Sequence, residues 1–443
     1  MTRTAVTKAL VLTIGVCLLM LVSEPSQVAV GDWPWSPSVT VNDDSTSLRF
    51  GSSIAVDRNG NAFAVWADAR NGNWDIYFSY RPAGGPWSPN VRANDDAATR
   101  GRHSPTIAVD SRGKAYALWV GEDTGTDETD IYFAYRASGG DWTTAVKVND
   151  DTGRHLGPSI AVDPTGNAYA VWMCSELVDE EPVNQGICFS YRPRAGSWSA
   201  VVKVNDTDET DSLYSPSIAV DTKGNAYAVW LDGRDVTSPM YPYLDIYVSY
   251  RPAGGPWGPN VRVNDDVPTV ARGPTIAVDG SGNAYAVWVD EHGGGWRPGL
   301  SFAYRPAGGD WSSDFQVNDD GQRVDRTVRP DIAVDANGNA YAVWAGRPHC
   351  DAPEPEDCPW GIYFSYRPSG GVWGTNLKVN EYWTTYGEQS SIAADESGNC
   401  YVVWRHGQEI QFAYWPPRPG DWAPYKMMLP IVFGEYHSKR EHW

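Results

Sequence analysis

The chain has 443 residues, a formal net charge of −20 and a pI near 4.7. That length exceeds the roughly 100–200 residues of an ordinary domain, so it holds either several domains or one repeat array. The acidic balance excludes a nucleic-acid partner, which needs a basic stripe against its phosphates, and fits a soluble, self-repelling surface.

In chain order, MTRTAVTK, ALVLTIGVCLLMLV and SEPSQVAVGD form a basic start, an apolar run and a small, polar flank. This pattern predicts a secretory signal peptide over 1–30. An uncleaved N-terminal anchor is the alternative reading. The apolar run falls short of the roughly 20 residues a membrane span needs, and no second one follows. The mature chain is therefore expected to be secreted or held at the cell surface, without a membrane span.

A motif of the form "IAVDPTGNAYAVW" (160–172) then recurs seven times. Its aspartates are Asp57, Asp110, Asp163, Asp221, Asp279, Asp335 and Asp395. Four short segments fill each period: strand A ("PSIAVD"), strand B ("NAYAVW"), strand C ("DIYFSYR") and strand D ("VKVND"). Period-two alternation with β-branched and aromatic residues gives the strand assignments. Glycines such as Gly166 supply the A–B reversal. The expected fold is all-β: a seven-bladed β-propeller of four-stranded antiparallel blades over 31–423. The early D-like segment "WSPSVTVNDD" (35–44) would close the last blade, leaving no open sheet edge. Residues 424–443 read as a C-terminal extension.

The A–B and C–D turns keep nearly constant lengths, whereas the B–C connections vary from one unit to the next. One face of the array is therefore uniform and the other individual. Function on a repeat scaffold is expected on the individual face, formed by the B–C and D–A loops. Asp163, Gly166 and Trp172 recur as scaffold.

The pattern "IAVD..GNAYAVW", with "SYRPAGGPWS" (79–88) at the C–D turn, resembles the sialidase-like BNR or Asp-box β-propellers. The resemblance spans about residues 33–423. It implies a propeller fold and, as one alternative, a sialidase-like glycoside hydrolase acting on an acidic sugar. Arg81 and Pro82 stand where the Asp-box aspartate would fall. The Arg-Ile-Pro motif is missing, and no catalytic residue transfers by motif.

Four tryptophans fall outside the repeat positions in individual-face loops: Trp74, Trp296, Trp360 and Trp383. An indole stacks well on a sugar ring or a partner side chain. Arg49, Arg102, Arg154, Arg272 and Arg329 lie in D–A connections, where convergent guanidiniums could hold a carboxylate or sulfate. Asp68, Asp232 and Asp290 follow strand B and are plausible mates for them. The "VNDD" tails offer oxygens of the kind Ca²⁺ takes, but their recurrence favours a hydrogen-bonding role, so no metal is assigned. His103, His155 and His292 lack a nucleophile signature. Cys174 with Cys188, and Cys350 with Cys358, each bracket a loop and are expected as disulfides in an exported chain; Cys400 reads as a buried free thiol. The expectation is a binding protein for a glycan or extracellular protein, leaning non-catalytic, with no cofactor and with the oligomeric state open.

Overall fold

The computed structural model describes residues 35–44, 46–95, 99–123, 128–178, 181–207, 213–234, 244–265, 270–291, 298–318, 322–347, 360–381 and 389–415. The regular elements among them are strands in antiparallel order A–B–C–D. In the first unit these are Arg49–Val56, Ala62–Asp68, Asp75–Arg81 and Val91–Arg92.

Strand B is buried along its whole length. It reads as a near-continuous apolar run because both its faces are covered, as in any sheet packed on two sides. Its period-two alternation divides the run between two neighbours. Ala62, Ala64 and Trp66 pack with Tyr401, Val403 and Phe412 of the last unit. Phe63, Val65 and Ala67 pack with Ala115, Ala117 and Trp119 of the second. The same division recurs between consecutive units along the chain.

Strand D is shorter than its sequence suggests, two residues per unit (Val146–Lys147 in the second). The Asn of "VND" explains this, because its side chain takes over from the backbone. Asn149 Oδ1 accepts the Ile131 N–H at 2.9 Å, and Asn42, Asn94, Asn205, Asn264, Asn318 and Asn380 repeat the bond. The N-terminal strand Val39–Thr40 pairs with the last C strand, Glu409–Trp415. Two sheets depart from four strands. The second and third units are joined by a parallel pair at Thr129 and Arg154. The inner strand of the sixth unit is split into Arg323–Val324 and Asp331–Val334.

The uniform face is held by three repeated contacts. Asp163 accepts bonds from the Thr165 and Asn167 backbone N–H groups and from the Asn167 side chain. The strand B tyrosine reaches across to the next unit: Tyr169 Oη donates to Asp163 and to the Gly224 carbonyl. The glycine of the turn is required there. At Gly60, with φ +75°, a Cβ would lie 2.7 Å from Tyr401 Oη of the last unit. Five C–D tryptophans, Trp87, Trp142, Trp198, Trp257 and Trp373, stand edge-on to a strand C phenylalanine of the preceding unit, as Trp142 does to Phe78 at 5.2 Å and Trp198 to Phe133 at 5.1 Å. Trp311 packs instead in the cluster of Val248, which takes the phenylalanine's place in the fourth unit. Trp35 fills the same role on Phe364 at 5.0 Å.

Candidate functional site

The first halves of the inner strands, nearest the D–A connections, surround one cavity of about 320 Å³. Every unit contributes to its wall, with Ser53, Thr106, Ser159, Ser217, Thr275, Asp331 and Ser391 at the equivalent position. Six of these side chains are hydroxyls and the sixth unit alone offers a carboxylate. The belt links neighbouring inner strands. Ser53 Oγ accepts the Ile107 N–H at 3.4 Å, Ser159 Oγ the Ile218 N–H at 3.2 Å, and Ser391 Oγ the Ile54 N–H at 3.4 Å. Thr275 Oγ1 donates to the Pro330 carbonyl at 3.3 Å.

Just before the belt, five inner strands bulge outward of regular register. Each bulge carries a left-handed residue: Gly51, Ser104, Gly157, Ser215 or Gly273. A bulge of this kind re-aims the strand where a cavity wall is needed. Pro105, Pro158, Pro216, Pro274 and Pro330 precede the belt in units two to six, and Ser52 and Ser390 take their place in the first and last. Both serines are 3% exposed, line the cavity, and have an Oγ without a hydrogen-bond partner.

The sixth unit is the exception, with Arg329-Pro330-Asp331 where the other units carry only neutral residues: Gly or Ser, then Pro or Ser, then Ser or Thr in the first five, and Gln389-Ser390-Ser391 in the last. Arg329 reaches over the fifth and fourth units. Its Nε donates to the Pro274 carbonyl at 3.0 Å, and its Nη2 to the Pro274 and Pro216 carbonyls at 2.6 and 3.1 Å. Gly273 leaves room for it, since a Cβ there would lie 3.2 Å from Arg329 Cα. Burial lowers the guanidinium pKa to about 10, with the nearby Asp331 charge opposing the fall. Arg329 stays charged at neutral pH. Asp331 turns the other way, towards the last unit, accepting Ser391 Oγ at 3.0 Å and the Ile392 N–H at 2.9 Å. Burial pushes its carboxyl pKa up, while these bonds and Arg329 pull it back.

The other candidate arginines do not converge on this cavity. Arg49 is buried against Asp68, with Nε to Oδ2 at 2.7 Å, and its Nη1 donates to the Gln408 carbonyl. Arg102 is buried on Asp75 at 3.2 Å, Arg272 pairs with Glu291 at 3.3 Å, and Arg154 is exposed. Asp68 is fully buried and also accepts Arg70 Nη2 at 2.7 Å and Trp66 Nε1 at 3.1 Å. Burial opposes its charge, but Arg70, Trp66 and Arg49 outweigh it and hold the pKa low. Asp232 accepts Trp230 Nε1 at 2.9 Å and Arg234 at 2.7 Å, and Asp290 accepts Trp288 Nε1 at 3.2 Å.

Trp74 packs on Phe50, ring centroids 4.3 Å apart, and Phe50 lines the cavity. The indole therefore backs the cavity wall. Trp360 lies under the Arg347 guanidinium at 4.8 Å. Trp296, Trp383, Cys350 and Cys358 lie outside the described residues, as do 1–30 and 424–443. Cys174 and Cys188 form a disulfide, and Cys400 is a buried free thiol. His155 is sealed in, with Nδ1 on the Thr129 carbonyl. His103 is half-buried, with Nδ1 on Ser104 Oγ at 3.0 Å. The sequence reading singled out Arg329 only as one arginine among several. Asp331 and the hydroxyl belt stand out in the sequence only when the units are aligned on their "IAVD" aspartates.

No family model and no curated protein matches the chain. Solved structures do match in shape. A polysaccharide lyase, an ulvan lyase, aligns at TM-score 0.55 and 12% identity, over 85% of this chain and 95% of its own. A lectin from Burkholderia pseudomallei aligns at TM-score 0.54 and 11% identity, over 82% and 96%. An α-L-arabinanase from Penicillium chrysogenum, solved with arabinobiose, aligns at TM-score 0.51 and 12% identity, over 86% and 98%. Likeness at this identity concerns the fold alone, and the fold is a β-propeller.

Proposed function

We propose that this chain is an exported, seven-bladed propeller, closed by its N-terminal strand, that binds a glycan in the central cavity opening on its B–C and D–A side. Support for the closed ring comes from contacts that join the last unit to the first: Tyr401 against Gly60, Ser391 to Ile54, and Trp87 on Phe412 at 5.1 Å. The Cys174–Cys188 disulfide favours an oxidising compartment. The lectin, lyase and arabinanase of like fold bear names tied to sugars, and the function is argued from the site itself.

The observation that carries the reading is the cavity. It has room at the small end of the range of about 300–1,000 Å³ typical of ligand sites, a wall of hydroxyls, and one unit that breaks the repeat with two charges. A scaffold needs none of that departure, because the other units close their inner strands with neutral residues. Binding is the activity assigned, and no nucleophile or acid–base pair is assigned to the cavity. An acidic-sugar hydrolase that relies on converging arginines gains no support, because Arg49 and Arg102 are each engaged by a carboxylate of the fold.

The test is a glycan array probed with the purified full chain and with Arg329→Gln. The reading expects signal on a subset of glycans and its loss in the variant. A blank array for the folded wild-type protein contradicts it and turns attention to an extracellular protein partner.

A further inference from the structure

Arg329 and Asp331 sit two residues apart in one cavity and yet form no ion pair with each other. Arg329 commits its Nε and Nη2, but not its Nη1, to the Pro216 and Pro274 carbonyls of the fourth and fifth units. Asp331 is held by Ser391 and the Ile392 N–H of the last unit. The cation and anion are therefore turned to opposite flanks of the sixth unit. Each is compensated by neutral dipoles, as buried charges must be in place of water. Beyond Asp331 the wall continues with the buried, unpartnered hydroxyls of Ser390 and Ser52.

We propose that this split pair reads the end of a glycan chain through uncharged hydroxyls, so that the cavity takes a neutral terminal sugar and rejects its acidic counterpart. The inference rests on the glycan reading of the cavity and adds the class of sugar. A hydroxylated ring offers acceptors to the guanidinium and donors to the carboxylate at once. Ser52 and Ser390 gain the partners they lack in the protein. Hydrogen bonds to charged groups are the strong ones, so two such contacts orient one ring. A uronic acid would bring a second negative charge into the low-dielectric space beside Asp331, where like charges repel far more than in water. Its attraction to Arg329 is already partly cancelled by Asp331. Rejection is thus built from a repulsive element as well as an attractive one.

The experiment uses the full chain and titrates it calorimetrically with matched pairs: methyl glucoside against methyl glucuronide, and methyl galactoside against methyl galacturonide. Wild type is expected to bind one of the neutral members, and its acidic partner about tenfold or more weakly. Asp331→Asn removes the negative charge with little change of shape and should narrow or reverse that preference, while Arg329→Gln should weaken both members. Thermal melts of both variants establish that they are folded. Ser52→Ala, at a hydroxyl with no partner to lose, should weaken sugar binding without lowering the melting temperature. Preference for the acidic member in wild type, or a preference unmoved by Asp331→Asn in a folded variant, overturns the neutral-sugar proposal and leaves glycan binding standing. Failure of every glycan to bind the folded wild-type chain overturns both.

Discussion

At the A–B turns, one unit after another repeats the same pattern: an Asp carboxylate clasping its own turn and, in every unit but the first with its Phe63, a strand B tyrosine reaching to the next glycine. Around the cavity the same units supply the same belt of hydroxyls except the sixth, where Arg329 and Asp331 replace the neutral residues of all the others. Repetition on one side and interruption on the other teach where selection for packing ends. A residue that every blade needs is explained by the blade. A pair of buried charges that only one blade carries, with no ion pair between them, has no such explanation.

The comparison can be broken hardest in the scaffold away from the cavity. Trp66→Ala empties a fully buried site between the first and last units and should cost about 3–5 kcal/mol by chemical denaturation. A cost near zero would mean that strand B does not carry the inter-unit core. Asp68→Ala should cost about 3 kcal/mol, because the buried Arg49 would lose its one fully buried carboxylate and keep only the partly exposed Asp44 at 3.3 Å. Reducing the Cys174–Cys188 bridge, which closes a loop of separation 14, should cost about 3 kcal/mol and lower the melting temperature. At the small end, Tyr401→Phe removes the latch onto Asp395 and should cost about 1 kcal/mol. The first unit already carries Phe63 at that position, so a much larger loss would show that the latches are not equivalent.

Acid should separate a scaffold carboxylate from the cavity carboxylate as well. Asp68 has a folded pKa held below its unfolded value near 4, so its contribution is complete above that value. It is lost as pH falls through the depressed folded pKa. Asp331 has the opposite sign: its raised pKa makes ionisation at neutral pH a burden on the fold, relieved as pH falls. Asp68→Asn should therefore flatten the acid limb of the stability curve, and Asp331→Asn should not, as a pH series of melts will show.

Much of this was legible in the sequence, and for physical reasons. Trp172 and its counterparts, the turn aspartates and Gly166 recur because each blade solves one packing problem, so comparing units with each other identified them as scaffold. The Asn of "VND" was legible as a hydrogen-bonding residue for the same reason, though its shortening of strand D was not. The site was legible only in part. Arg49 and Arg329 look alike in sequence, and only the register that sets Arg49 opposite Asp68 shows that the first is already paired. The belt escaped notice because a Ser or Thr in an inner strand reads as ordinary alternation. Spacing does not tell a ligand-stacking indole from one packed internally at Trp74, and its seat on Phe50 is a tertiary contact.

The most direct measurement restores the interrupted unit. Arg329→Gly with Asp331→Ser, Pro330 kept, gives the sixth unit the Gly-Pro-Ser of residues 157–159 in the third. The account predicts that this double variant melts cooperatively within a few degrees of wild type and loses glycan binding. Binding that survives in the folded variant would contradict it, and would place the function elsewhere on the propeller.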